Sequence, residues 1–122
     1  MKKILIVDDS STMRRIIMRS LRQAGLQIET ILEAEDGAKG LETLQANSDI
    51  ELVFSDVNMP NMNGLELVKG IRASSSSVPV VMISSEGSES FVQQAMDSGA
   101  NAYITKPFTP ESIKQRLETI LG

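Results

Sequence analysis

The chain has 122 residues, with 12 Lys and Arg against 16 Asp and Glu, a formal charge of −4 and a pI of about 4.8. That length predicts one domain, residues 1–122, able to bury its own core, and the acidic balance, with Lys and Arg forming no long block, weighs against the basic face that duplex nucleic acid needs. Cysteine and histidine are both absent, which removes disulfides, thiol chemistry, the commonest general base and the commonest transition-metal ligand. Oxygen atoms and lysine remain for any chemistry.

In chain order, the apolar run 4–7 predicts a first buried strand. It stops at Asp8-Asp9, short of the about 7–15 apolar residues of a signal-peptide core. Nothing approaches the ~20 apolar residues of a membrane span, so a cytoplasmic protein is expected. Ser10 or Ser11 caps a helix with Met13, Ile16, Ile17, Leu21 and Ala24 on its inner face, and Gly25 ends it. Residues 28–34 alternate polar and apolar, as an edge strand does. Asp36-Gly37 opens a second helix carrying Leu41 and Leu44, closed near Asn47-Ser48-Asp49.

Leu52-Val53-Phe54-Ser55 is a short apolar run too brief for a helix, and it ends on Asp56. Gly64 then leads into a helix with Leu67, Val68 and Ile71 inward. The serine run 74–77 is a loop. Pro79 stands at the entrance of a strand over 80–83, where a missing N–H is tolerated. A helix near 89–98 presents Val92, Ala95 and Met96, and Gly99 ends it. A fifth strand covers 102–105. Thr109-Pro110-Glu111 starts a last helix that buries Ile113, Leu117, Ile120 and Leu121. Five β-α units with right-handed crossovers predict an α/β fold: a doubly wound, five-stranded parallel sheet with helices on both faces.

Parallel strands end on one edge, where open α/β sheets place their chemistry. Asp8, Asp9, Asp56, Ser84, Ser85 and Lys106 all fall just past a strand. Taken singly, each has an ordinary explanation: an Asp after a strand is usually a turn former or cap, a Ser bonds its own backbone, and a Lys is solvated. Together they outweigh it. Three carboxylates within about 5 Å repel by roughly 3 kcal/mol per pair at an effective dielectric near 20. Lys106 offsets part of this. A divalent cation would balance the rest, and an all-oxygen donor set selects Mg²⁺ or Mn²⁺. A tetrahedral anion held by metal, Lys106 and Ser84 would make a phosphoryl site without a glycine-rich P-loop.

These residues resemble the receiver domain of two-component response regulators over the whole chain. The carriers are Asp8-Asp9, Asp56 in Asp56-Val57-Asn58-Met59-Pro60, Ser84 in Met82-Ile83-Ser84-Ser85-Glu86, and Lys106-Pro107-Phe108. Within the family the chain looks closest to the single-domain chemotaxis regulators, through Ser11-Thr12-Met13-Arg14-Arg15-Ile16, Asn58-Met59-Pro60-Asn61-Met62 and Tyr103. The strand order 2-1-3-4-5 comes with the resemblance, since flavodoxin and the chemotaxis regulator CheY are themselves type examples of it.

The resemblance implies that Asp56 accepts a phosphoryl group from a phosphohistidine of a partner histidine kinase. Asp9 and Asp56 would ligate Mg²⁺ directly, Asn58 through its backbone carbonyl, and Asp8 mainly through water. Lys106 would neutralise phosphoryl oxygens. Ser84 would bond the phosphoryl, and Tyr103 would turn inward, altering the face of the fourth helix, fifth strand and fifth helix for a downstream protein target. Asn58 and Glu86 would tune dephosphorylation by water, and the Lys106-Pro107 bond would be cis. The implied protein is a free-standing cytoplasmic monomer in chemotaxis signalling, catalysing only its own phosphorylation and slow dephosphorylation.

Ser84 replaces the family's commoner Thr, and Asn63 its commoner Asp. Gly87-Ser88-Glu89 lacks the lysines of the chemotaxis regulator, which makes the output face less basic and weighs against a flagellar motor-switch partner. Two other functions share parts of this pattern. A Mg²⁺-dependent aspartyl phosphohydrolase would show D-x-D-x-[TV] after the first strand and a capping insertion, and this chain has neither. The other is a receiver-fold scaffold that is never phosphorylated.

Overall fold

The computed structural model describes residues 3–121. The elements in order are β1 (Lys3–Val7), α1 (Ser11–Gln23), β2 (Thr30–Ala34), α2 (Gly37–Ala46), β3 (Leu52–Ser55), α3 (Gly64–Ala73), β4 (Val80–Ser84), α4 (Glu89–Asp97), β5 (Ala102–Thr105) and α5 (Pro110–Leu121). All pairings are parallel, as the alternating pattern predicts, and the sheet order is β2-β1-β3-β4-β5, as the resemblance implies. Among the described residues no helix is long and apolar enough to cross a membrane.

The strand alternation splits the core in two. Leu5, Val7, Val53, Val80, Met82 and Tyr103 point to one face, where Leu44, Leu67, Val68, Ile71 and Ala95 of α2, α3 and α4 cover them. Ile4, Ile6, Leu52, Phe54, Val81, Ile83 and Ile104 point to the other, against Ile17, Leu21, Ile113 and Leu117 of α1 and α5. The three central strands β1, β3 and β4 are therefore apolar on both faces, which is why they lack a polar alternation. β2, at the sheet edge, has only Ala34 fully buried.

Four details differ from the sequence expectation. Ile16 is 42% exposed, because Ile16 and Ile17 lie about 100° apart on the helix and Ile17 takes the inward position. Met96 is 37% exposed for the same reason beside Ala95. β2 starts at Thr30, where pairing with Lys3 begins, while Ile28 packs beneath the sheet instead. β4 runs through Ser84, which pairs in register with Thr105, so Ser84 is the last strand residue and not the first beyond it. Ile120 is partly buried on the α1–α5 side; the expected burial of Leu121 lies outside the described side chains.

Candidate functional site: an acid and lysine crevice at the strand ends

The backbone ladder delivers the site. The Asp8 N–H donates to the Ala34 carbonyl at 3.1 Å, and the Asp56 N–H donates to the Val7 carbonyl at 2.9 Å. These bonds extend pairing one residue past each strand, so both acids leave the sheet side by side. The Lys106 N–H donates in the same way to the Ser84 carbonyl at 2.8 Å. Gly64 stands directly behind Asp56: a Cβ on it would lie 2.2 Å from the Asp56 carbonyl oxygen, so only glycine fits.

The Lys106 ammonium lies 3.6 Å from Asp56 Oδ2 and 3.9 Å from Asp8 Oδ2. Carboxylate oxygens of Asp8, Asp9 and Asp56 lie within 4.8 Å of one another. Asp8 is buried, Asp56 half-buried and Asp9 exposed, so the crevice opens to solvent on the Asp9 side. Asp8 Oδ1 accepts the Ser10 N–H at 2.9 Å, and Asp56 Oδ1 accepts the Val57 N–H at 2.7 Å. Asp8 Oδ2 is buried without a hydrogen-bond partner among the described residues.

Burial pushes the Asp8 carboxyl up to about 6 from an ordinary 3.8. The Ser10 N–H opposes that rise, Asp56 reinforces it, Lys106 opposes it again, and Asp9 adds to it. A buried carboxylate oxygen without a partner, beside two further acids, is what a hard cation with oxygen ligands satisfies. The donor set therefore fits Mg²⁺ or Mn²⁺.

The remaining predicted site residues surround this centre. Ser84 is 1% exposed, and its hydroxyl accepts the Glu86 N–H at 3.2 Å. The Tyr103 ring is buried, edge-on to Phe91 at 6.4 Å, and its hydroxyl donates to the Glu86 carbonyl. Burial raises the Tyr103 phenol above its ordinary value. The Lys106–Pro107 peptide is cis. Asn58 lies on the exposed loop two residues past Asp56, and the Glu86 side chain is exposed.

Arg14 adds a support that its sequence position does not announce. Its Nη1 donates to the Asp8 carbonyl at 2.6 Å while its Nε pairs with Glu33 Oε1 at 2.8 Å, tying the first acidic turn to β2. Sequence periodicity places Arg14 on the helix flank, and nothing local to it points at either acceptor.

The sequence pattern of the response regulator receiver domain matches residues 4–118. The chain belongs to the response regulator receiver family. This receiver is 49% identical to the chemotaxis protein CheY1 of Helicobacter pylori over 98% of the chain and 97% of the relative. It is 47% identical to a CheY homolog of Campylobacter jejuni, covering 98% and 92%. A CheX–CheY–BeF₃–Mg²⁺ complex from Borrelia burgdorferi contains a similar fold, with TM-score 0.89 and 27% identity over 98% of this chain and 89% of that one. The CheY4 structure of Vibrio cholerae has TM-score 0.82 and 36% identity, covering 98% of both. As a receiver, the chain is a phospho-accepting signalling regulator and not a classical enzyme.

Proposed function

We propose that this receiver is a chemotaxis response regulator, one domain over residues 1–122, in which Asp56 takes a phosphoryl group from a phosphohistidine of a partner histidine kinase. None of these 122 residues is a histidine that could serve as the donor. The observation that carries the reading is the Lys106 ammonium standing against both Asp56 Oδ2 and the otherwise unpartnered Asp8 Oδ2. In the transfer, an Asp56 carboxylate oxygen attacks phosphorus, the P–O bond forms, and the P–N bond to the donor imidazole breaks. Asp56 Oδ1 is steadied by the Val57 N–H, which leaves Oδ2 beside Lys106.

Asp8, Asp9 and Asp56, with the Asn58 backbone carbonyl, are the groups that would hold Mg²⁺, with Mn²⁺ as a substitute. When bound, the ion supplies positive charge that offsets the phosphoryl oxygens. Lys106 contributes the same kind of stabilisation from the protein side. The Ser84 hydroxyl, whose oxygen accepts from Glu86, has its hydrogen to donate to a phosphoryl oxygen. Asn58 and Glu86 flank the water approach and set the rate of hydrolysis.

The output follows from one chain of contacts. The Ser84 hydroxyl accepts from the Glu86 N–H, and the Glu86 carbonyl accepts from the Tyr103 hydroxyl. A phosphoryl that draws Ser84 toward Asp56 therefore pulls on the segment that holds Tyr103, on the α4-β5-α5 face where a downstream protein target docks. The protein works as a cytoplasmic monomer and binds no nucleic acid directly.

Incubation with acetyl phosphate and Mg²⁺ should load one phosphoryl group per chain, read by intact-protein mass. Asp56→Asn or excess EDTA should abolish the loading. Repeated turnover of an ordinary phosphomonoester would contradict the reading and favour a phosphohydrolase.

A further inference from the structure

The loop between β3 and α3 carries Asn58, and it is held from both flanks. On the near side the Gly64 N–H donates to the Val57 carbonyl at 2.8 Å. On the far side it is stitched to the start of α2. Asp36 is 3% exposed; its Oδ1 accepts the Lys39 N–H at 2.8 Å as the helix cap, and its Oδ2 accepts the Asn61 side-chain amide at 2.8 Å. One residue on, the Gly37 N–H donates to the Met62 carbonyl at 3.0 Å, at a contact so close that a Cβ on Gly37 would lie 2.5 Å from that oxygen.

Asn61 adopts φ 66°, a left-handed conformation that Asn tolerates better than most residues. That backbone turn is held where the amide reaches Asp36. No hydrogen bond of Asn58 itself is found among the described residues, so its placement depends on how the rest of the loop is held: by these ties, by the Met62 N–H on the Pro60 carbonyl at 2.7 Å, and by Met59 and Met62 packed on the core.

We infer that Asp36 and Asn61 form a positioning pair which fixes the Asn58 carbonyl and thereby sets how tightly the site holds its divalent cation. The pair lies outside the Asp8, Asp9 and Asp56 carboxylate cluster, and the inference rests on the metal-assisted reading proposed above. One carboxylate divides its oxygens between a helix cap and the loop. Asn61→Gly would keep the turn and lose the tie, whereas Asp36→Ser would keep the cap, since serine is an equally good one, and still fall short of Asn61.

The test is the Mg²⁺ dissociation constant by calorimetry, beside the melting temperature of the metal-free protein. Asp36→Ser should weaken Mg²⁺ about tenfold, the lower end of what outer-shell partners of metal ligands contribute. Asn61→Asp, which sets two carboxylates against each other, should weaken it similarly. The double exchange Asp36→Asn with Asn61→Asp restores one donor and one acceptor at the same total charge, and should recover the affinity of the unsubstituted chain. A purely structural pair would lower the melting temperature and leave Mg²⁺ affinity unchanged. That result in Asp36→Ser, or a double exchange as weak as Asn61→Asp alone, would overturn the inference. If Asp36→Ser does not fold, Asn61→Asp and the double exchange decide it. Failure of the unsubstituted chain to bind Mg²⁺ would overturn the metal-assisted reading itself, and the pair's role with it.

Discussion

Burial holds the Asp8 carboxyl away from its ordinary charge state. Its carboxyl ionises near pH 6 in the folded chain and near 3.8 when unfolded, chiefly because it is buried. Between those values the folded chain binds more protons. Its contribution to stability is thus complete below about pH 3.8 and is lost as pH rises through about 6, a loss on the order of 2–3 kcal/mol. Asp8→Asn should therefore raise the metal-free melting temperature at pH 7 and flatten its decline between about pH 4 and 7, while weakening Mg²⁺ binding. Thermal unfolding across that range, with and without Mg²⁺, checks both signs. An Asp8→Asn variant that is less stable than the unsubstituted chain at pH 7 without metal would show that burial strain is not what Asp8 carries. Asp8, Asp56 and Lys106 were legible in the sequence because each follows an apolar run, and parallel topology sends all such positions to one edge. Asp36 and Asn61 were not, since the bond between them spans 25 residues and depends on a loop turn that no pattern records.

At the scale of elements, the helix termini explain most of the boundaries. Gly25 and Gly99, at φ 91° and 114°, end α1 and α4, with the next N–H in each case reaching back to Leu21 and Ala95 carbonyls. α3 ends in the same pattern, with the Ser76 N–H on the Ile71 carbonyl, but the left-handed position is Ser75 at φ 64°. A non-glycine residue there costs about 1 kcal/mol. Ser75→Gly should accordingly stabilise the chain by about 1 kcal/mol in denaturant unfolding and leave phosphoryl loading unchanged; a loss of stability would contradict the account of this terminus. Starts at Ser10, Asp36 and Thr109 were readable as cap residues. Asn63, a departure from the family's commoner Asp, also carries a readable local signal: Asn63 and Glu66 form a reciprocal capping box, at 2.9 and 3.1 Å, and the spacing Asn-x-x-Glu spells it. Ile16 and Met96 lie at the rim of their helices' apolar faces, beside the inward Ile17 and Ala95, whereas the adjacent Leu67 and Val68 of α3 are both buried; hydropathy alone does not tell the two situations apart.

On the scale of the molecule, the sheet separates two jobs. Its carboxyl edge holds the acids and Lys106, while the Ser84–Glu86–Tyr103 contacts lead from that edge to the flank built by α4, β5 and α5. The fold class was legible because strand and helix periods alternate five times, and the order of strands came with the family resemblance. The contacts that join the two jobs were not legible, because they run through the Glu86 backbone, whose position the side-chain pattern does not encode. The central claim is that the crevice is one phosphoryl-accepting site with Asp56 as its nucleophile. The most direct test reduces the acetyl phosphate-loaded protein with borohydride, which converts an aspartyl phosphate to homoserine, and locates that residue by peptide mass spectrometry. Homoserine at position 56 alone, dependent on Mg²⁺, is the predicted result; homoserine at position 8 or 9, or at no position in a chain that has taken up phosphoryl, would contradict it.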